Sequence, residues 1–261
     1  ITAELVAGRV PPEIAADPVG LLVHPDKNSI EWKALCDAAA ETRRTPLKLL
    51  LSVKAIGSPW QWHVRSFYEE NFPEGAGFPD DLPQPPHNDW AELPLSDAAP
   101  FSIDDSSTTE IDDATSVTPL GNGRTRIGIH IAAPSLGMKR GDAMDQFVRG
   151  RMSTVYAPGL KTTMLPESWV KAFSLDEGKI SPCLSLYAVV DDATFSVLST
   201  DTRLERVRMD VNLRYDQWDG QVTEEAIESG SLTIPHASDI TYLWPFARHL
   251  QAEREKVRGR P

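Results

Sequence analysis

The chain has 261 residues and sets 38 acids against 26 bases, a formal net charge of −12. That length allows one large domain or two ordinary ones of roughly 100–200 residues each. It shows neither a signal segment nor an apolar run of about 18 residues, so nothing in it points to export or membrane insertion. The acidity is local. No Lys or Arg lies between Arg65 and Arg124, and thirteen of the acids fall in that gap, which leaves the rest of the surface free to offer basic stripes to a phosphate backbone.

The N-terminal part reads as helices. Ser29 caps a helix through Ile30, Trp32, Leu35 and Ala39; Thr45-Pro46 opens a second through Leu47, Leu50 and Val53; Gly57 stops it, and Ser58-Pro59 opens a third through Trp62, Arg65 and Tyr68. Three short helices with a tight turn suit a helix-turn-helix or winged-helix-like module over residues 1–72. Trp60, Trp62, His63 and Arg65 are its candidates for touching nucleic acid, although tryptophans at helical spacing usually serve a core.

From Pro73 to Pro100 seven prolines, Gly75, Gly77 and several acids, Asp89 among them, describe an extended acidic connector, residues 73–100. Cys36 and Cys183 lie in apolar contexts on either side of it, have no zinc-ligand spacing, and are expected as buried thiols in a reducing cytoplasm.

Between Ile103 and Ala114 come Asp104, Asp105, Glu110, Asp112 and Asp113, with no cation among them. Like charges this close raise one another's pKa unless something positive joins them. Carboxylate oxygens are the ligands that Mg2+ or Mn2+ prefers. An acidic run is often a solvated loop, but Phe101, Ile103, Ile111, Ala114, Val117 and Leu120 are apolar flanks that would pin this one to a core. Glu110, Asp112 and Asp113 are expected to fold back towards Asp104, so that one cation meets three or four of them. Arg126, Arg140, Arg149, Arg151 and Lys161 are the nearby cations for a phosphate.

Strands follow. Gly121-Asn-Gly123 is a hairpin turn into Arg126-Ile-Gly-Ile-His-Ile-Ala132, alternating at period two, and Leu184 to Val190 with Thr194 to Val197 reads as a second hairpin about Asp191-Asp192. His130 on such a strand is expected to be structural. Asp142 to Arg151 and Thr241 to Arg258 read as helices, making the part after residue 100 an α+β domain with a mixed β core and packed helices.

In order and spacing, the acidic run, Arg126-Ile-Gly-Ile-His-Ile-Ala-Ala-Pro134, Gly141-Asp142, Arg151-Met-Ser-Thr-Val-Tyr-Ala-Pro-Gly159, Thr163-Met-Leu-Pro166 and Leu213-Arg-Tyr-Asp-Gln217 resemble the catalytic RNB domain of the RNase II and RNase R exoribonucleases. The resemblance covers roughly residues 100–220. It implies a 3′→5′ hydrolytic exoribonuclease degrading single-stranded RNA processively to 5′-mononucleotides with Mg2+ or Mn2+. It also implies metal ligation by Asp104, Glu110, Asp112 and Asp113, a base-stacking role for Tyr156, and a place beside the scissile phosphate for Tyr215; at such a site Asp112 is expected to orient the nucleophilic water or complete the metal shell. Most relatives have aspartate where Glu110 stands. Relatives usually carry cold-shock barrels ahead of this domain, and no run of alternating strands occurs here.

The RNB domain of the family continues past the tyrosine motif at Tyr215, so residues 101–261, ending in the charged stretch Arg254 to Arg260 and Pro261, are expected to be the N-terminal portion of it. The expected protein is a cytoplasmic monomer on single-stranded RNA, away from membranes. Two other readings stay open: a catalytically weak RNA-binding or regulatory protein of the same fold, and a Mg2+-dependent phosphoesterase acting on small substrates.

Overall fold

The computed structural model describes residues 1–87 and 90–259; Asn88 and Asp89 of the expected connector, and Arg260 and Pro261 of the charged C-terminal stretch, lie outside the described residues. The chain divides into two compact units, Ile1–Pro79 and Asp80–Pro261.

The first unit is helical, with α1 Thr2–Val6, α2 Pro12–Ala15, α3 Gly20–Val23, α4 Ile30–Glu41, α5 Pro46–Ser52 and α6 Pro59–Asn71, and no strand forms in residues 1–79. The caps are the ones the sequence offers. Ser29, Thr45 and Ser58 accept hydrogen bonds from the backbone N–H groups of Trp32, Lys48 and Gln61, and a proline at the first helical position of α5 and α6 sits where a missing N–H costs nothing. The apolar faces of α4 and α5 close a core of Leu35, Ala38, Leu49, Leu50 and Ile56 with Leu5, Ile14 and Val19. Trp62 packs against this core, and Arg65 is committed to Asp17 (2.8 Å) and Glu69 (2.9 Å). Two of the four candidates for nucleic-acid contact are therefore already engaged in holding the unit together.

The second unit is α+β. Its elements are β1 Phe101–Asp104, β2 Asp113–Gly121, β3 Arg124–Ala132, a 3-10 turn Pro134–Gly137, α7 Ala143–Arg151, β4 Val155–Ala157, β5 Leu160–Thr162, α8 Glu167–Phe173, β6 Ile180–Asp191, β7 Val197–Arg208, β8 Val211–Arg214, α9 Tyr215–Trp218, α10 Glu224–Glu228 and α11 Ala237–Arg258. Six strands form a sheet in the order β7-β6-β3-β2-β1-β8, antiparallel except that β1 runs parallel to β8. Asn122 and Gly123 take positive φ (53° and 69°), the two-residue hairpin geometry that suits the right-handed twist of β2 and β3. The second hairpin begins its return strand at Val197, later than the Thr194 the pattern suggests, because the Asp191 side chain caps a turn by accepting from the Ala193 and Thr194 backbones.

Much of the expected connector packs on the second unit. Trp169 Nε1 donates to Pro83 O (2.8 Å), Arg206 Nε donates to Leu93 O (3.0 Å), and Leu82 and Trp90 join the cluster of Met144, Leu165, Trp169 and Phe173. The two cysteines are free thiols, Cys183 buried and Cys36 half-buried; burial pushes the Cys183 thiol up to about 12. Among the described residues no helix is long and apolar enough to cross a membrane.

One face of the sheet carries a polar interior. His130 is wholly buried, with Nε2 hydrogen-bonded to Ser116 Oγ (2.9 Å) and Nδ1 to Ser185 Oγ (2.8 Å), while Tyr187 donates its hydroxyl to buried Glu205 (2.6 Å). Satisfied hydroxyl partners on both ring nitrogens make this histidine structural, as its strand position suggested. Desolvation lowers its pKa to about 4, so the ring is neutral at neutral pH.

Candidate functional site

The acids lie where β1 leaves the sheet and β2 enters it. Ile111 anchors the loop between them: it is buried with Ala114, Leu175, Cys183, Val207 and Met209, its N–H donates to Ser174 Oγ, and its carbonyl accepts from Leu175 N (2.8 Å). Phe101 and Ala114 are buried as expected. Ile103 and Leu120 are not anchors. Both are exposed, Ile103 at 53%, at the ends of their strands, where Ile103 lines an open cavity with Leu213, Tyr215 and Ile234.

Each acid has its own surroundings. Asp104 closes β1 and accepts from Ser102 Oγ (2.6 Å), which in turn accepts from Asn212 Nδ2 on β8 (2.9 Å). Glu110 has Oε2 2.8 Å from Lys161 Nζ, off the direction of a hydrogen bond and otherwise shielded from water. Asp112 is exposed as a residue, yet its carboxyl is pushed above the usual carboxylate range, first by crowding away from water, then by Asp113, Glu110 and Asp104. Asp113 begins β2 opposite Ile131, and the Asp112 carbonyl accepts from Ala132 N (2.9 Å).

These four acids therefore feel one another but do not converge. Among the described residues no three His, Cys, Asp or Glu side chains are grouped to hold a metal ion. The expectation that one cation meets three or four of them is corrected to that extent: Ser102 and Lys161 draw Asp104 and Glu110 to different partners. The donor set still suits a hard divalent cation in kind, since all four ligands are carboxylates, their repulsion is visible at Asp112, and Glu110 keeps an oxygen with no directed donor.

Tyr156 stands on the β4–β5 hairpin directly opposite Lys161, across the turn at Pro158 and Gly159, where Gly159 takes φ 72°. The ring is 70% exposed, so it is not a core residue, and Lys161 Nζ lies 5.5 Å from its centroid. Beside Glu110 and Asp112 is a cavity of about 160 Å³ floored by Ile131, Met164 and Leu165, which ties the Met-Leu-Pro motif to the acids.

Tyr215 is 53% exposed and reaches the acidic loop from the far side. The parallel register sets Asp104 opposite Arg214, so the next residue, Tyr215, arrives over the loop and donates its hydroxyl to Asp105 Oδ2 (2.9 Å). Asp105 lies below the ordinary carboxylate range through the Ser107 hydroxyl, the Ser107 N–H and this tyrosine; the Tyr215 phenol is correspondingly raised. Tyr215 also opens α9, whose Asp216 accepts from Ser106 Oγ.

Sequence reasoning missed Arg214, whose Nη1 donates to Asp105 O (2.9 Å) and Thr108 O (3.3 Å) and clips the loop from β8. Its position beside Tyr215 in the Leu-Arg-Tyr motif was the available signal. Of the five cations named for a phosphate, Arg126 pairs with Asp97 (2.7 Å) and lies over Tyr187, and Arg151 donates to Thr163 O (2.7 Å). Arg140 and Arg149 are exposed, and Lys161 is the one of the five found against an acid of the loop.

Comparison with known proteins bears on the family and the fold. Protein SSD1 of Saccharomyces cerevisiae is 32% identical over 80 residues, 31% of this chain and 6% of its own length. The solved structure of yeast Ssd1, a pseudonuclease, superposes with a TM-score of 0.56 at 24% identity, covering 65% of this chain and 22% of that one. Mycoplasma genitalium RNase R in complex with ribose-methylated single-stranded RNA gives 0.54 at 19% identity, covering 64% and 26%. An active-site mutant of the Dss1 exoribonuclease from Candida glabrata gives 0.66 at 19% identity and covers 94% of this chain, helical unit included, and 34% of that one. The chain thus spans a small part of the curated relative and about a third or less of these solved chains. The RNB domain itself matches residues 93–260, well over half of the sequence, and the chain belongs to the RNB-domain family of RNase II/RNase R type.

Proposed function

We propose that this chain carries the acidic loop and base-stacking tyrosine of a divalent-metal-dependent 3′→5′ exoribonuclease that degrades single-stranded RNA processively to 5′-mononucleotides. The observation that carries the reading is the neighbourhood of Asp112: a carboxyl raised first by its shielding from water and then by Asp113, Glu110 and Asp104, with an exposed aromatic ring, Tyr156, one lysine away. A solvated acidic loop would need neither the ring nor the buried anchor at Ile111.

The chain's own residues divide the work. Tyr156 stacks a base near the 3′ end, an interaction worth roughly 1–3 kcal/mol that tolerates any sequence. Tyr215 sits across the loop and orients the nucleotide being cut. Asp112, which holds its proton more tightly than an ordinary aspartate, orients the attacking water. Asp104, Asp112 and Asp113, with Glu110, would hold Mg2+ or Mn2+, which supplies positive charge for the phosphodiester and acidity for water.

A second reading is RNA binding without hydrolysis. It is favoured by the Lys161–Glu110 ion pair, which already gives one acid of the loop a cation, and by the likeness to yeast Ssd1, a pseudonuclease. A small-phosphoester enzyme finds less support, since it has no use for the exposed Tyr156 ring. The test is a titration of Mg2+ and Mn2+ against an end-labelled oligoribonucleotide, following binding and cleavage together. Mononucleotides released from the 3′ end only with metal are the expected result. Binding with no cleavage at any metal concentration favours the second reading, and cleavage of small phosphoesters alone would overturn both.

A further inference from the structure

Lys161 joins two parts of the site that the sequence keeps apart. Cross-strand pairing with Tyr156 sets its stem beside that ring, and its ammonium reaches back to Glu110 at 2.8 Å. Both ends of the pair are largely covered, Lys161 at 29% exposure and Glu110 at 19%, so water screens this contact less than it screens a surface ion pair. Glu110 is also the one acid of the four whose arm is a methylene longer, long enough to meet an ammonium carried by the hairpin. The remaining acids at the loop's end, Asp104, Asp112 and Asp113, have no such cation against them in any ion pair among the described residues.

We infer that Lys161 is a positioning residue that withholds Glu110 from the divalent-cation ligands, so that the lysine ammonium and a divalent cation compete for one carboxylate. The inference rests on the cation-binding reading above. Its chemistry is an exchange of ions only. A cation that recruits Glu110 must displace the ammonium, which then remains over the Tyr156 ring, where its charge is still favoured. Without the lysine, Glu110 turns its unsatisfied oxygen to the cation at no such cost.

Mn2+ alone, followed by loss of the free-ion electron paramagnetic resonance signal, reads this directly in the 261-residue chain. Lys161→Met should tighten Mn2+ binding by roughly three- to tenfold, the size of a partly covered ion pair. Because removal of any positive charge helps a cation slightly, the decisive comparison is made in Glu110→Gln, where the same lysine change should gain less than twofold. Near-ultraviolet circular dichroism of each variant verifies that the hairpin is still folded. A gain in Lys161→Met that persists in full in the Glu110→Gln background overturns the inference, as does no gain at all while the wild type binds Mn2+, and in both cases the cation reading survives. No Mn2+ binding in any variant overturns the two together.

Discussion

The Tyr215 hydroxyl donates to Asp105 Oδ2 at 2.9 Å, across 110 positions of sequence. Asp105 therefore serves to seat the tyrosine, and it owes its low pKa to the Ser107 hydroxyl and N–H before the tyrosine. Tyr215→Phe should raise the Asp105 pKa but leave it below the ordinary value, since both Ser107 donors remain. Carboxyl-carbon NMR titration reads the shift, and an unchanged Asp105 would mean that the pair does not persist in solution. A lowered carboxylate pKa favours the fold above the unfolded value and is lost as pH falls through the folded one, so the loop should loosen only in acid.

Asp112 has the opposite sign. Its folded pKa is raised, so its ionised form disfavours the fold; that penalty is present at neutral pH and disappears as pH falls below the ordinary carboxylate value. Asp112→Asn should leave stability at pH 7 unchanged or higher by no more than about 0.5 kcal/mol, as befits an exposed position. The same variant should abolish hydrolysis and retain RNA binding, or strengthen it. Wild-type turnover in Asp112→Asn would remove this residue from the chemistry.

On the proposed reading Tyr156 sets the length of the final product. An exonuclease that grips the last bases on this ring releases its RNA once too few nucleotides remain, so Tyr156→Ala should lengthen the limit oligomer with little change in rate on long strands. Tyr215→Ala should slow cleavage and leave the end product as it was. A sequencing gel of the limit digest separates the two, and an unchanged end product in Tyr156→Ala would show that this exposed ring holds no base.

His130 makes the sheet sensitive to pH. Its pKa falls from 6.5 to about 4 on folding, so its neutral form supports the fold above pH 6.5, and that support drains away as pH falls towards 4. The full effect is about 3 kcal/mol. Denaturant unfolding of the second unit should therefore show a loss of this order between pH 7 and pH 4 that His130→Gln lacks, whatever that variant's stability at neutral pH. Parallel pH profiles for the two proteins would contradict the assignment.

Gly128 is required by the same network. A Cβ there would lie 2.5 Å from Ser116 Oγ, 2.8 Å from His130 Nε2 and 2.9 Å from a Tyr187 ring carbon, so Gly128→Ala should destabilise the unit by about 1–3 kcal/mol. Thermal unfolding measures it, and a neutral result would mean that the histidine can move aside.

Local signals were legible in the sequence, and long-range partnerships were not. Ser29, Thr45 and Ser58 declared three helices because a cap and its first turn are neighbours in the chain, and Asn122-Gly123 declared a hairpin for the same reason. The acids were visible as a cluster, but their arrangement was not. Asn212 on β8 fixes the Ser102 hydroxyl that donates to Asp104, and Lys161 on the β4–β5 hairpin holds Glu110, through contacts that the fold decides and the local sequence does not. Ile103 misled because it shares the face of buried Phe101 but stands near the end of β1, where that face opens into a cavity instead of a closed core. Strand β8 was unreadable as a partner of β1, since four residues of sequence do not say which edge they will join.

That edge pairing has a consequence for how the chain is made. Ser102 and Asn212, which hold Asp104 in place, are 110 residues apart, and non-local pairings of this kind form slowly because a long loop must close first. A ribosome delivers all the acids of the loop well before it delivers Arg214 and Tyr215. Through that interval the nascent chain carries the charges of the candidate site without the geometry that β8 supplies.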